Sequence, residues 1–224
     1  MTQPRRAPEV PASSREKILD VAEALFARRG YAGVGLREVA EAAGLGKSSL
    51  FHHFRGKAQL YLAVLDRVFE RIDERLAPML TGPGSPLVRL EGCLDALIDA
   101  LAEHPTTARL LLRGLFEDDD LPEAAQAEVT ATERTLFGIL ERILSMLREG
   151  IETGAFRRVS ARHTLQTLIG ATVYHFASGE FGEGIFGRPL FSAESVRRRK
   201  QEVKALIHSG LAASPSVAPT GDPA

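Results

Sequence analysis

The sequence predicts an all-α protein, with a three-helix N-terminal head containing a helix-turn-helix and a larger helical bundle behind it. About nine helices are expected. Three observations carry this reading. Ala, Leu, Glu and Arg dominate, and alternating β-branched runs are missing. Apolar residues recur at three- and four-residue spacing through most of the chain. Clusters of Gly and Pro cut that periodicity into segments of helical length, with no internal repeat.

Taken in order, the first helix is expected to start at Ser13, because Ser13-Ser14-Arg15-Glu16 is a capping box. Ile18, Val21, Ala22, Leu25 and Phe26 give it one apolar face, and Gly30 ends it. A short second helix fits Leu36 to Ala43, Gly44-Leu45-Gly46 is a tight turn, and a third helix follows from Lys47 to Phe54. Arg55-Gly56 breaks the chain again. A long fourth helix is expected from Lys57 to Met79, with Tyr61, Val64, Leu65, Val68, Ile72 and Leu76 on one stripe. Beyond the break at Thr81–Pro86, amphipathic segments are expected at 87–103, 106–116, 123–149, 161–178 and 193–211. Gly179–Pro189 is expected to be a Gly-rich connection. The division that follows is a tail at 1–12, a head at 13–57, a body at 58–211 and a second tail at 212–224. Both tails are rich in Pro, Ala, Ser and Thr and are expected to be disordered.

Composition excludes several classes. Of 224 residues, 44% are hydrophobic and 25% charged, which suits a globular core. The single Cys forbids an internal disulfide framework and fits a reducing cytoplasm. No apolar run is long enough to cross a bilayer, and Met1–Pro11 lacks the apolar stretch of a secretory signal. The net charge of −1 hides an asymmetry. Residues 1–57 hold ten Lys/Arg against six Asp/Glu, a net +4, and the remainder is net −5. A basic head on an acidic body points to a polyanionic partner for the head.

The residues at 36–54 explain what the head is for. Two short helices joined by a Gly-containing turn form the layout that lays a second helix in the DNA major groove. Leu50 and Phe54, four apart, anchor the third helix inward. Its outward face offers Lys47, Ser48, Ser49, His52 and His53, groups that meet phosphates and base edges, with Phe51 at the boundary. Lys57 opens the fourth helix, where its ammonium and the helix N-terminus both favour a phosphate.

The stretch from Phe26 to Lys57 resembles the DNA-binding segment of the TetR family of transcription regulators. It holds the Gly30-Tyr31 corner, the Val39-Ala40 pair, the Ala43-Gly44 turn and a recognition helix ending His53-Phe54 ahead of Lys57. The resemblance covers roughly residues 13–65; the rest is similar only in general plan. It implies that Arg37 approaches the phosphate backbone, that Lys47, Ser48 and Ser49 open the recognition helix, that Phe51 and His52 lie at its middle, and that Lys57 meets a phosphate. The sequence departs from the family pattern at Gly35, where Ser or Thr is usual, at Phe51, where Tyr is commoner, at His53, where an aromatic is usual, and at Arg55-Gly56.

The resemblance further implies a homodimer, built on the segments 161–178 and 193–211, that reads two half-sites of double-stranded operator DNA. It implies a small-molecule effector held between body helices. Val68, Leu94, Leu111, Leu115, Phe116, Phe137, Leu140, Tyr174 and Phe176 are the candidate lining, and they point to an apolar or aromatic ligand. The long helix 57–79 belongs to both parts and is the expected lever of a repressor that releases DNA when its effector binds. An activator of the same family is the alternative within this class.

The remaining features favour plain readings. His52 and His53 are adjacent, so they point about 100° apart and make a poor metal pair; no metal or cofactor is expected. Cys93 sits among leucines as a small core residue, and Glu117–Asp120 is a solvated acidic run. A helical enzyme lacks a convergent titratable set, and no catalytic residue is assigned. A protein-binding helical adaptor is the other rival, and it predicts no salt-dependent DNA binding.

Overall fold

The computed structural model describes residues 13–116 and 121–213, with the side chains of Leu115 and Phe116 excepted. The expected tail at 1–12, the acidic run Glu117–Asp120 and the expected tail at 212–224 apart from Ala212 and Ala213 lie outside the described residues. Every named element among the described residues is helical: α1 (Ser14–Arg29), α2 (Leu36–Ala42), α3 (Lys47–His53), α4 (Lys57–Thr81), α5 (Pro86–Glu103), α6 (Thr107–Phe116), a 3-10 turn (Glu123–Ala125), α7 (Gln126–Glu152), α8 (Ala161–Ile169), a π-helical turn (Gly170–Tyr174), α9 (His175–Ala177), α10 (Gly179–Phe186) and α11 (Ala193–Gly210).

The N-terminal three helices form where their caps dictate. Ser13 accepts a hydrogen bond from the Glu16 amide at 3.2 Å, and its own amide donates to Glu16 Oε2 at 2.7 Å. Gly30 closes α1 at φ 70°, and Gly44 turns the chain between α2 and α3 at φ 69°, both in the left-handed region. Ile18, Ala22 and Phe26 of α1 pack with Val39, Leu50 and Phe54, all essentially buried. Tyr61 of α4 joins this core, its ring 5.0 Å from Phe26 and 5.3 Å from Tyr31.

Behind the head, α4 lies along α1, α5, α6 and α7 and is the common wall of head and body. It continues past Met79 to Thr81 with Pro78 inside it, and Thr81 Oγ1 donates to the Ala77 carbonyl at 3.0 Å. α5 begins at Pro86 behind the Ser85 cap, as proline at the first helical position favours. An isolated antiparallel bridge between Phe156 and Ala212 ties the end of α11 to the loop after α7. The chain is held in this way through Ala213, whose amide donates to the Ala155 carbonyl at 3.1 Å.

Two elements differ from the sequence expectation. Gly179–Pro189 is not a connection throughout: Gly179–Phe186 is a helix, ended by Gly187 at φ 62°. Gly182 serves packing there, since a Cβ would overlap the Ser178 hydroxyl and approach Leu190 to 3.0 Å. The expected helix at 161–178 runs helically to Ala177 but widens to a π turn at Gly170–Tyr174. Thr172 Oγ1 bonds the Leu168 carbonyl at 2.8 Å, and the Arg199 guanidinium inserts onto the Ala171 carbonyl. Both divert the backbone ladder.

Candidate nucleic-acid interface and effector cavity

α3 presents one side to the head core and the other to solvent. Leu50 and Phe54 are buried, while Lys47, Ser48, Phe51 and His52 are exposed and Ser49 and His53 half-buried. Phe51 is 41% exposed and carries the Lys47 ammonium 5.5 Å from its ring centroid. The His52 ring stands edge-on to His53 at 5.4 Å. The exposed side of α3 therefore combines one cation, hydroxyls, imidazole nitrogens and an aromatic ring on a rod narrow enough for a major groove. Neither Lys47 nor Arg55 meets a carboxylate among the described residues.

Two expected phosphate contacts are already engaged. Arg37 is exposed on α2, with its Nε donating to Glu41 Oε1 at 2.8 Å. Lys57 folds back on the corner after α1, its ammonium donating to the Ala32 carbonyl at 3.1 Å and lying 4.4 Å from the Tyr31 ring centroid. Lys57 thus holds this corner from the first residue of α4. Arg15, 5.5 Å from the Phe54 ring, lies close to the recognition helix, and no periodicity in the sequence singled it out.

In the body, α4, α5, α6, α7 and the end of α8 enclose a cavity of about 210 Å³ that opens to solvent. Leu62, Leu65, Phe69, Ile72 and Leu76 of α4 form one wall, and Val129, Leu136, Phe137, Ile139, Leu140 and Ile143 of α7 another. Leu97, Leu111, Leu112, Gly114, Ile169 and Val173 close it. Of the residues expected to line a pocket, the cavity brings together Leu111, Phe137 and Leu140. Val68 and Leu94 are packed in the core away from it, Phe176 faces a different cleft, and Tyr174 is exposed at the π turn. Leu115 and Phe116 have side chains outside the described residues. Phe137, 62% exposed, sits at the rim.

Polar groups are few. Thr132 and Glu133 reach the cavity, and Thr132 Oγ1 is buried with no hydrogen bond of normal geometry. Nearby, burial pushes the Asp66 carboxyl above the usual carboxylate range, and the Thr132 hydroxyl offsets this only in part. Cys93 is buried, and burial pushes its thiol up to about 11, so it stays protonated and unreactive. Among the described residues no group of three or more His, Cys, Asp or Glu is arranged to hold a metal ion, and no helix is long and apolar enough to cross a membrane.

The junction between head and cavity is polar and buried. Glu23 of α1, 5% exposed, accepts from Arg67 Nη2 at 2.6 Å, Arg71 Nη2 at 3.0 Å and Thr106 Oγ1 at 2.8 Å. Burial alone would raise this carboxyl, but the Thr106 hydroxyl and the two guanidiniums outweigh it and hold it below the usual range. On α6, Arg113 donates to the Ala27 and Arg28 carbonyls at 3.2 and 3.3 Å, clasping the end of α1.

This architecture coincides with two family models that together span head and body. Residues 18–64 match the model described as bacterial regulatory proteins, tetR family, and residues 86–207 match the tetracyclin repressor-like C-terminal domain. The chain belongs to the TetR family. Among its relatives, the HTH-type transcriptional repressor KstR2 of Mycolicibacterium smegmatis is 29% identical over 150 residues, 67% of this chain and 71% of that protein. KstR of Rhodococcus jostii is 30% identical over 156 residues, 69% and 71% of the two chains. Solved TetR-family structures share the fold. The ketosteroid regulator KstR2 of Mycobacterium tuberculosis superposes with a TM-score of 0.72 at 23% identity, over 94% of this chain and all of that one. AibR in complex with isovaleryl coenzyme A and operator DNA gives 0.71 at 16% identity, over 87% and 97%. FadR of Bacillus subtilis in complex with stearoyl-CoA gives 0.66 at 18% identity, over 87% and 98%. The chain is thus a TetR-type DNA-binding transcription regulator.

Proposed function

We propose that this regulator represses by binding a palindromic operator as a homodimer and lets go when an apolar small molecule enters the cavity bounded by α4 and α7. The single observation that carries the mechanism is the reach of α4. Its first residue, Lys57, is fastened to the α1–α2 corner, and Leu62 to Leu76 on the same helix form the cavity wall. A ligand that displaces this wall displaces the head with it, so the two sites share one equilibrium. Residues 13–57 act as the reading head and 58–211 as the effector-binding and dimerising body. Lys47, Ser48, Ser49, Phe51, His52 and His53 face the groove, and Arg37 and Lys57 face the backbone.

The cavity supports a hydrophobic effector with a fatty-acyl or other apolar body, since nearly all its lining is aliphatic. The ligand of FadR, stearoyl-CoA, is of that class. Dimerisation is supported by large apolar side chains left exposed toward the C-terminus: Tyr174 at 58%, Leu206 at 58% and Ile185 at 65%. Such a regulator works beside the chromosome in the cytoplasm, and its task is binding rather than catalysis, as for the relatives it matches.

The test is fluorescence anisotropy on DNA from upstream of the protein's own gene against scrambled DNA, over a salt series, with and without stearoyl-CoA. Specific binding that weakens steeply with salt and is relieved by the ligand supports the reading. Failure on that DNA and in a random-sequence selection overturns the DNA-binding part. Specific binding that is indifferent to stearoyl-CoA and to a panel of apolar ligands overturns the release mechanism.

A further inference from the structure

We propose that the cleft between α1 and α6 is a second binding site, separate from the α4–α7 cavity, for a small molecule carrying an oxyanion on a flat apolar body. The cleft holds about 400 Å³ and lies where the end of α1 meets the start of α6. Its chemistry is split. The half-buried Phe191 forms an aromatic side, backed by the buried Phe176 ring 5.5 Å away and tilted by 41°. Arg28 and Arg109 supply the polar side, both exposed.

The two guanidiniums are available. Neither meets a carboxylate among the described residues, whereas Arg67 and Arg71 on the same junction are spent on Glu23. Arg113, one turn further along α6 than Arg109, is spent on the α1 carbonyls. Arg109 is also aimed. Gly179 sits at φ 54°, and a Cβ there would overlap Arg109 Nη2, so the guanidinium rests against bare backbone. Two guanidinium forks beside an aromatic side are suited to a carboxylate or phosphate whose ring lies against Phe191.

The position gives the site a consequence. Arg28 belongs to the head and Arg109 to the body, so one anion neutralising both fastens α1 to α6. α6 also contributes Leu111 and Leu112 to the effector cavity, and Ala27, Arg109 and Leu112 line a smaller cleft between the two spaces. An occupant of the α1–α6 cleft therefore biases the same head-to-body equilibrium as the apolar effector, from a different side.

Titration calorimetry of the full chain without DNA tests the site independently of the operator reading. The probes are 2-naphthoate and adenosine monophosphate, which separate the carboxylate and phosphate sources, and neutral 2-naphthylmethanol. The expected result is binding of at least one anion, absent or about tenfold weaker for the neutral alcohol. Arg109→Gln and Arg28→Gln are each expected to weaken the anion about tenfold, while melting temperature and stearoyl-CoA affinity stay unchanged. Preference for naphthoate assigns a carboxylate ligand and preference for the nucleotide a phosphate ligand. Failure of both anions to bind, or equal affinity in the Arg28→Gln/Arg109→Gln double variant, overturns the proposal.

Discussion

Replacing Glu23 by Gln is the sharpest single perturbation of the proposed coupling. Among the described residues, Glu23 is the one carboxylate that meets both α4, through Arg67 and Arg71, and the residue just before α6, Thr106. Breaking a buried ion pair from one side costs about 3–5 kcal/mol in general. Here the loss is smaller, because Arg67 keeps Asp20 at 2.7 Å and the two arginine side chains are 25% and 22% exposed. A destabilisation of about 2–3 kcal/mol is expected, which lowers the melting temperature by roughly 4–12 °C for a chain of this size. Urea unfolding at fixed protein concentration measures it. Since the native state holds this carboxyl below its ordinary value of 4.5, its contribution is present above that pH and fades as pH falls further. The variant's stability should therefore depend less on pH in that range. The functional readout is the ratio of operator affinities with and without stearoyl-CoA, which the substitution should bring toward one while effector affinity persists. A loss below about 0.5 kcal/mol with an unchanged ratio would refute the claim that this carboxylate joins head and body.

Three further outcomes are expected. Lys57→Ala should weaken specific and random DNA about equally and reduce the salt slope by about one, whereas His52→Ala should change sequence preference; parallel anisotropy titrations distinguish them. Phe137→Ala, at the cavity rim, should weaken an apolar effector about tenfold with little change in melting temperature or operator affinity, read by ligand titration. His175 is held down to about 4, from 6.5, by burial and then by the Arg199 charge. The stability it contributes is whole above pH 6.5 and is lost as pH falls toward 4, at most roughly 3 kcal/mol. His175→Gln should flatten the pH dependence of unfolding in that window, and an unchanged slope would show that the ring is not kept neutral by its burial.

Much of the head was legible from one dimension because its signals are local. The capping box at Ser13, the left-handed glycines at 30 and 44 and the four-residue spacing of Leu50 and Phe54 depend on neighbours within a turn or two. Those features determine where α1–α3 begin and end and which side of α3 faces solvent. The body gave up its helices on the same terms but not its cavity. Val68 and Leu111 sit equally well on apolar stripes, yet one is sealed in the core and the other walls the cavity. Periodicity reports that a side chain turns inward, not whether matter or space lies opposite it. The glycines at 179 and 182 looked like slack in a loop; only packing against Arg109, Ser178 and Leu190 shows that they admit close neighbours. The buried meeting of Glu23 with residues 44, 48 and 83 positions away was likewise beyond the sequence, because long-range pairing is set by how α1, α4 and α6 cross and not by any spacing along the chain.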